Sequence, residues 1–437
     1  MQYWKSRQAN CQVNEAFFQA LRYMLDREPY PALLESRGPI TAQSRYSFYA
    51  ASPQTKLEIF RTAHTSLRHQ LNQWSQNAFH SGHAAQIFGF LSYDAGRLLE
   101  KLPAYAADDI ALPYVWLGAY PLYFVHDRQT DEVTLEGLPG HAQQAEKWLK
   151  ALTDRLNHPN ADEFERCSEW ESNMDWPAYR DKFERVQDYL HSGDCYQINL
   201  AQRWQAAYRG NPLIAYERLL EKNGAPFSGF IDLGEVQILS VSPERFIRVE
   251  SGQCQTRPIK GTRPRVADPI KDEALRKDLA NSEKDKAENV MIVDLLRNDF
   301  AKSCRPGTIQ VPELFAIESY PAVHHLVSTI TGTLRPDRTA LDLLLDAFPG
   351  GSITGAPKIR AMAIIEMLEP HRRQIYCGSL VRLSPNGDMD SSIAIRTLVT
   401  HKQKIYCWGG GGLVADSEAR NEYQETLDKV SRILPTL

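Results

Sequence analysis

From about residue 175 onward, strand-like runs and helical runs come in blocks rather than in strict alternation, and that order constrains the fold more than any other feature of the chain. Asp175 and Pro177 suit the start of a helix, and Phe183, Val186 and Leu190 keep an apolar stripe until Gly193 ends it. Tyr196, Ile198 and Leu200 then alternate with Gln197, Asn199 and Ala201, which is the period of a strand. Further strands are expected at 236–241, 246–249, 327–331, 380–383, 393–399 and 404–408, with long helices near 283–297, 357–368 and 420–434. The expected class is α+β, a two-sheet β-sandwich with helices packed outside, rather than a doubly wound parallel sheet. No repeat of fixed period is visible.

The 437 residues are 43% hydrophobic and 24% charged, enough apolar material for a large core. A formal net charge of -4 gives no global basic field, which argues against nucleic acid as the main partner and leaves room for small anions bound locally. Seven scattered cysteines, without a Cys-x-x-Cys pair or a zinc-like spacing, read as reduced thiols in a cytoplasm. The first residues carry no apolar stretch behind their charges, and no run reaches the length of a membrane span, so neither export nor anchoring is expected. Residues 151–176 turn polar and acidic, which marks a boundary between an N-terminal region, 1–165, and a second region, 175–437. Strand-like runs at 87–91 and 122–125 lie in the first region, which shows no chemistry of its own.

The chemistry is concentrated in the second. Lys260 stands in Thr256-Arg257-Pro258-Ile259-Lys260-Gly261-Thr262, close in sequence to Arg257 and Arg263. Burial beside other cations favours the neutral amine that a covalent catalyst needs, although the short run by itself reads more readily as a surface lysine in a β-edge turn. Asp285 and Glu288 share one face of a predicted helix, and Glu422, Glu425 and Lys429 share one face of another. Carboxylates brought toward a core from two helices suit Mg²⁺, which takes one or two carboxylates, waters and the substrate's own anionic groups; solvated helix faces laced with salt bridges are the alternative. Gly409 to Gly412 after the strand at 404–408 suggest a nest of backbone N–H groups for an anion, with Arg396 on the preceding strand. The run from Phe348 to Lys358 fails the phosphate-loop pattern and leaves a glycine-rich approach to a helix N-terminus, with Ser352 in it. His325 is open to three readings, a general acid, a metal ligand or a core histidine, and Glu244 is either a structural or a functional carboxylate.

Read together, SPERF at 242–246, PIKGT at 258–262, AENVMIVDLLRND at 287–299, HLVSTITG at 325–332, GGSITGAPK at 350–358, AIRT at 394–397 and GGGLVADS at 410–417 resemble the chorismate-utilising enzymes. That family includes anthranilate synthase component I, aminodeoxychorismate synthase component I and the isochorismate and salicylate synthases. The likeness runs from about residue 177 to the C-terminus. It is thinner before that, where Gly89 to Arg97 looks like a family element and Leu33-Leu34-Glu35-Ser36 looks like a strand that lines a regulatory amino-acid pocket in some relatives. Lysine at 260, where anthranilate synthases carry a small residue, is similar to the branch that aminates C4.

The resemblance implies the family's fold and a set of roles. Lys260 would attack chorismate at C2, with Glu244 as proton shuttle and His325 aiding departure of the C4 hydroxyl. Mg²⁺ would sit at Glu288 and Glu425, with Glu422 and Asp285 near it. Arg396, the backbone of Gly410, Gly411 and Gly412, and Ser352 would bind carboxylates. Ammonia would come from a separate glutamine amidotransferase subunit in a heterodimer, since no glutaminase signature is present. Where the family shows Gly-Tyr this chain has Val381-Arg382, which makes Arg382 a substitute carboxylate donor; Asp299-Phe300-Ala301-Lys302 also departs from the usual Asp-Ile-Gly-Arg. Anthranilate or isochorismate chemistry on the same scaffold, and a non-catalytic chorismate-binding regulatory subunit, are the competing expectations.

Overall fold

Two large, mainly antiparallel sheets organise the chain in a computed structural model that describes residues 1–41, 43–61, 66–158, 162–320 and 323–437. Pro159 and Asn160 of the polar boundary, and Pro321 and Ala322 just before the His324-His325 pair, lie outside the described residues. Among the described residues one sheet has 13 strands and runs from Gln2–Lys5 at one edge, through Ala32–Glu35, Val236–Ser242 and Lys404–Leu413, to Gln197–Gly210 and its short partners. The other has 10 and runs from Ile259–Pro264 through Val323–Thr333, Arg245–Glu250 and Ser379–Leu383 to Thr55–Ile59. Helices pack against these sheets, as the block order of strands and helices requires.

Both sheets draw strands from both halves of the sequence. Ala32–Glu35 pairs with Phe227–Asp232, and Gln86–Leu91 pairs with Ser379–Leu383, so one core holds Phe88, Phe90 and Trp116 together with Phe246, Leu380 and Ile393. The division into 1–165 and 175–437 is therefore a division of sequence composition and not of cores.

Local chemistry explains the ends of the predicted elements. The Asp175 carboxylate accepts from the Ala178 N–H at 2.9 Å and Pro177 occupies the first turn, so the Trp176–His191 helix begins where expected. Ser282 caps the Glu283–Ala301 helix by accepting from the Asp285 N–H at 3.2 Å. Two expectations are corrected. The run 393–399 is not one strand: it breaks between Met389–Ile393 and Thr397–His401, with Arg396 at a left-handed φ of 51°. The four glycines do not form a turn after a strand ending at 408, because Lys404–Leu413 stays extended through all of them and pairs with Gln197–Gly210.

Candidate active site

Lys260 lies on the edge strand Ile259–Pro264, whose register against Val323–Thr333 slips between Ile259 and Thr262. Gly261 makes that bulge with φ of 77°, and a Cβ there would stand 2.8 Å from both Asp285 Cγ and Leu279 Cδ1, so no other residue fits. The Lys260 ammonium nitrogen reaches the Ser352 carbonyl at 3.4 Å. Burial, followed by the nearby Lys429 ammonium, favours the neutral amine, while Glu288, Glu244 and Glu425 oppose; the balance holds the Lys260 pKa below its ordinary value. Arg257 and Arg263, the cations expected beside Lys260, are both committed elsewhere. Arg257 pairs with Glu318, and Arg263 pairs with Asp278 at 2.6 Å and Asp285 at 3.2 Å.

Glu244 is 6% exposed and accepts a hydrogen bond from the Ser352 hydroxyl at 3.3 Å. Burial raises its carboxyl to about 7, against the pull of Lys260, the Ile259 N–H, the Ser352 hydroxyl and Lys429. Ser352, in the single turn Gly351–Ile353, thus holds the amine with its carbonyl and the acid with its hydroxyl. This turn does not lead straight into a helix N-terminus. Gly355 and Ala356 first pair with Ile198 and Gln197, and Lys358 is spent on Asp299 at 2.8 Å.

His325, opposite Thr262 in the strand pair, places Nδ1 2.9 Å from the Thr262 hydroxyl. Burial, then Arg396 and His324, lowers its pKa to about 4, so it is a neutral imidazole at neutral pH. Its sequence neighbour His324 has a different task, bonding Ser319 at 2.7 Å and Asp272 at 3.2 Å.

Glu288 comes from the Glu283–Ala301 helix, and Glu422 and Glu425 from the Ala419–Val430 helix. Burial raises the Glu288 and Glu422 carboxyls, and the Glu425 charge adds to both. Glu425, 48% of whose side chain is open, is bound by Lys429 at 2.6 Å, and the fields of Lys429, Lys260 and Lys284 outweigh its own desolvation and lower its pKa. Glu422 Oε1 accepts from Ser417 at 2.7 Å, whereas its buried Oε2 has no hydrogen-bond partner. A Cβ at Gly411 would lie 3.1 Å from that Oε2 and 3.4 Å from Glu425 Oε1, so the bare backbone leaves room for both carboxylates. Among the described residues no group of three or more His, Cys, Asp or Glu side chains gathers closely enough to hold a metal unaided. An orphaned carboxylate oxygen beside mutually repelling acids fits a hard cation that shares its coordination with substrate and water. Asp285, tied to Arg263 and packed under Gly261, braces the bulge rather than offering a free ligand.

The glycines are required by contact on both faces of their strand. A Cβ at Gly409 would meet the Thr426 carbonyl at 2.7 Å, and one at Gly410 would meet Ala201 Cβ at 2.8 Å. Thr397–His401 pairs only as far as Cys407 of this strand, so among the described residues the edge of Gly409 to Gly412 away from Gln197–Gly210 carries no strand. Unpaired backbone N–H groups of this run thus lie along an open strand edge and not in a nest. Among the described residues the Arg396 guanidinium makes no hydrogen bond or ion pair, while the Arg396 carbonyl accepts from the Val241 N–H at 3.1 Å; burial, then Arg432, lowers its pKa while Glu244 opposes.

Arg382 is not part of this constellation. Its guanidinium bonds Ser384 at 2.6 Å and Gln86 at 3.2 Å, stacks 4.4 Å over Phe48, and lines a separate cavity of about 140 Å³ with Glu35, Ser36, Arg45 and Arg245. Strand alternation is the reason: Arg382 and Leu380 line that cavity, and Val381 between them does not.

Sequence reasoning missed three contributors. Lys429 was visible only as a salt-bridge partner on its helix, yet it also donates to the Gly410 carbonyl at 2.7 Å and supplies the cationic neighbour of Lys260. Thr262, part of the same short motif as Lys260, orients His325. Gln197 is fully buried with both carboxamide atoms unpartnered, and its Nε2 would be 2.3 Å from a Cβ at Gly412; no residue pattern announces that.

The chain is similar to known proteins over most of its length. A family model described as chorismate binding enzyme matches residues 23–435. Aminodeoxychorismate synthase component 1 of Klebsiella aerogenes is 48% identical over 432 residues, covering 94% of this chain and 95% of that protein. The protein of the same name in Escherichia coli is 52% identical over 350 residues, covering 80% and 76%. In three dimensions the chain is similar to anthranilate synthase component I from Streptococcus pneumoniae, with a TM-score of 0.78, 31% identity and coverage of 91% and 93%. The chain belongs to the chorismate binding enzymes.

Proposed function

We propose that this chain is the chorismate-aminating component of an aminodeoxychorismate synthase. It combines chorismate with ammonia to give 4-amino-4-deoxychorismate, the precursor of p-aminobenzoate in folate synthesis, and receives the ammonia from a glutamine amidotransferase subunit in a heterodimer. The observation that carries the reading is the half-buried Lys260 amine, held toward its neutral form against Ser352 and beside Glu244. The names of the 48% and 52% identical relatives support it. Cytoplasmic residence fits seven free cysteines and, among the described residues, no helix long and apolar enough to cross a membrane.

In this reading Lys260 attacks C2 of the ring as the C4 hydroxyl leaves. The nitrogen gives up one proton, which Glu244, in the electrostatic field of Lys260, accepts, and the departing oxygen gains one and leaves as water. This role uses the His325 tautomer in which Nδ1 accepts from the Thr262 hydroxyl 2.9 Å away and Nε2–H donates to the departing oxygen. Ammonia then bonds at C4 and expels the Lys260 nitrogen, which regains the proton ammonia loses. Arg396 and the open edge of Gly410 to Gly412 bind the enolpyruvyl carboxylate, and the Ser352 turn lies at the other. Mg²⁺, when held by Glu288 and Glu425 with Glu422 beside them, supplies positive charge to the ring carboxylate and to the charge developing as the hydroxyl departs.

The test is Lys260→Ala assayed with chorismate, Mg²⁺ and saturating ammonium, the product identified by mass spectrometry. Loss of C4 amination by about a thousandfold or more is expected for removal of a covalent catalyst. Unchanged amination would refute the covalent role, and an ortho-aminated or hydroxylated wild-type product would move the chain to the anthranilate or isochorismate branch.

A further inference from the structure

Away from the catalytic site, a cavity of about 420 Å³ opens between the Leu67–His80 helix, the segment leading into the Ala340–Ala347 helix and the turn after Ser379–Leu383. Its volume is in the range of pockets that bind small molecules. Three arginines line it, Arg305, Arg335 and Arg338, and no Asp or Glu does. In a chain whose net charge is -4, a half-open cleft lined by three arginines and, among the described residues, by no acid is a local reversal of sign.

The neighbouring acids offset it only in part, one carboxylate being shared between two of the guanidinium groups. Asp337, 70% open to solvent, stands 3.4 Å from Arg335 Nε and 3.9 Å from Arg338 Nε. Neither contact is a hydrogen bond, and both Nε atoms are buried without an acceptor. Asp342 is engaged by Arg68 at 2.8 Å, and Asp388 by the Ser251 N–H at 2.6 Å and the Asn386 amide at 2.8 Å. Arg305 donates to the Leu334 carbonyl at 3.1 Å and has no ion pair among the described residues. Buried guanidinium N–H groups without acceptors are costly unless something fills the need. The remaining wall is partly apolar, with Phe79, Val249 and Leu383, so water alone does not suit the whole surface.

We propose that this cleft binds a small dianion, a phosphate ester or a dicarboxylate, whose charged end meets Arg335 and Arg338 and whose carbon body lies on Phe79, Val249 and Leu383. Planar forks of this kind match phosphate and carboxylate oxygens in pairs, which a monoanion exploits less fully. The site is independent of the catalytic reading, since it shares no residue with Lys260, Glu244 or Arg396.

The experiment is calorimetric titration of the full chain, without Mg²⁺ or ammonia, with phenyl phosphate in one arm and phthalate in another, and with benzoate as the monoanion control. Saturable one-to-one binding of either dianion, tighter than benzoate, is expected, and the tighter arm tells phosphate ester from dicarboxylate. The Arg335→Gln/Arg338→Gln double variant should weaken that binding by about tenfold or more, and the exposed Arg305→Gln variant by a smaller factor. Arg396→Gln should leave it unchanged. Absence of saturable binding in both arms, equal affinity in the double variant and wild type, or loss on Arg396→Gln would each overturn the proposal. Should the double variant fail to fold by its urea midpoint, Arg305→Gln decides: unchanged binding there overturns the site.

Discussion

Replacing Glu244 by Gln is expected to make the protein more stable and less active at the same time, and the two effects share one cause. The carboxyl is buried at 6% exposure and titrates at about 7 instead of 4.5. The native state therefore keeps the proton between about pH 4.5 and about pH 7, where the unfolded chain has released it. Stability associated with this group is lost as pH climbs through that window and stays low above it. At about 1.4 kcal/mol for each pH unit, forcing the charge into the site costs the native state about 3 kcal/mol above pH 7. A carboxamide of the same shape keeps an acceptor for the Ser352 hydroxyl and carries no such charge.

Urea unfolding of wild type and Glu244→Gln, compared from about pH 5 to about pH 8, reads this directly. The gap in midpoint should widen with pH in favour of the variant and level off above 7. In parallel, wild-type kcat/KM should fall below about pH 7 as Glu244 takes up the proton it must accept from Lys260, and the variant should lose that limb together with about a hundredfold or more of its rate. A stability gap that stays flat across the range would mean that Glu244 is ionised without cost, and the assignment of the site's proton acceptor would fall with it.

Three further substitutions probe the rest of the geometry. Thr262→Val removes the hydroxyl that bonds His325 Nδ1 and should lower kcat by about tenfold with little change in the chorismate KM; equal loss in both would place Thr262 in substrate binding instead. Gly411→Ala puts a methyl 3.1 Å from Glu422 Oε2 and 3.4 Å from Glu425 Oε1, so Mg²⁺ affinity measured by calorimetry should weaken by about tenfold while the urea midpoint hardly moves. Arg382→Ala, altering the separate cavity, should leave kcat/KM for chorismate within about twofold, and a loss beyond about tenfold would return Arg382 to the substrate.

The parts of this architecture that sequence made legible are those governed by local period and local chemistry. The helices at 283–301 and 358–368 and the strands at 236–242 and 379–383 fall within a few residues of expectation because an apolar stripe or an alternation decides each. The errors share a different origin. Arg257 and Arg263 are near Lys260 in number, but each guanidinium is taken by acids, Glu318 for Arg257 and Asp278 and Asp285 for Arg263. Four glycines suggest a turn when only freedom of φ is considered. Here none of Gly409 to Gly412 has positive φ, and the constraint is lack of room against Thr426, Ala201, Glu422 and Gln197. Arg396 lies at the break that sequence read as continuous strand, because a left-handed residue without glycine leaves no signature.

The electrostatics of the site set two requirements against each other. A cation site needs carboxylates, yet Glu288 and Glu425 both favour the charged form of Lys260, the form that cannot attack carbon. Lys429 reconciles them. It neutralises Glu425 through a 2.6 Å ion pair and repels a proton on Lys260, so one side chain weakens the unwanted attraction and strengthens the wanted repulsion. Its own position is fixed by the Gly410 carbonyl at 2.7 Å, on the strand that must be glycine for the carboxylates to fit. Removing Lys429 would therefore leave every atom of the nucleophile in place and still raise the pKa of its amine, a shift toward the charged form that burial alone would then oppose. The glycine strand, the acidic helix and the lysine on the opposite sheet act as one unit because charge, and not contact alone, joins them.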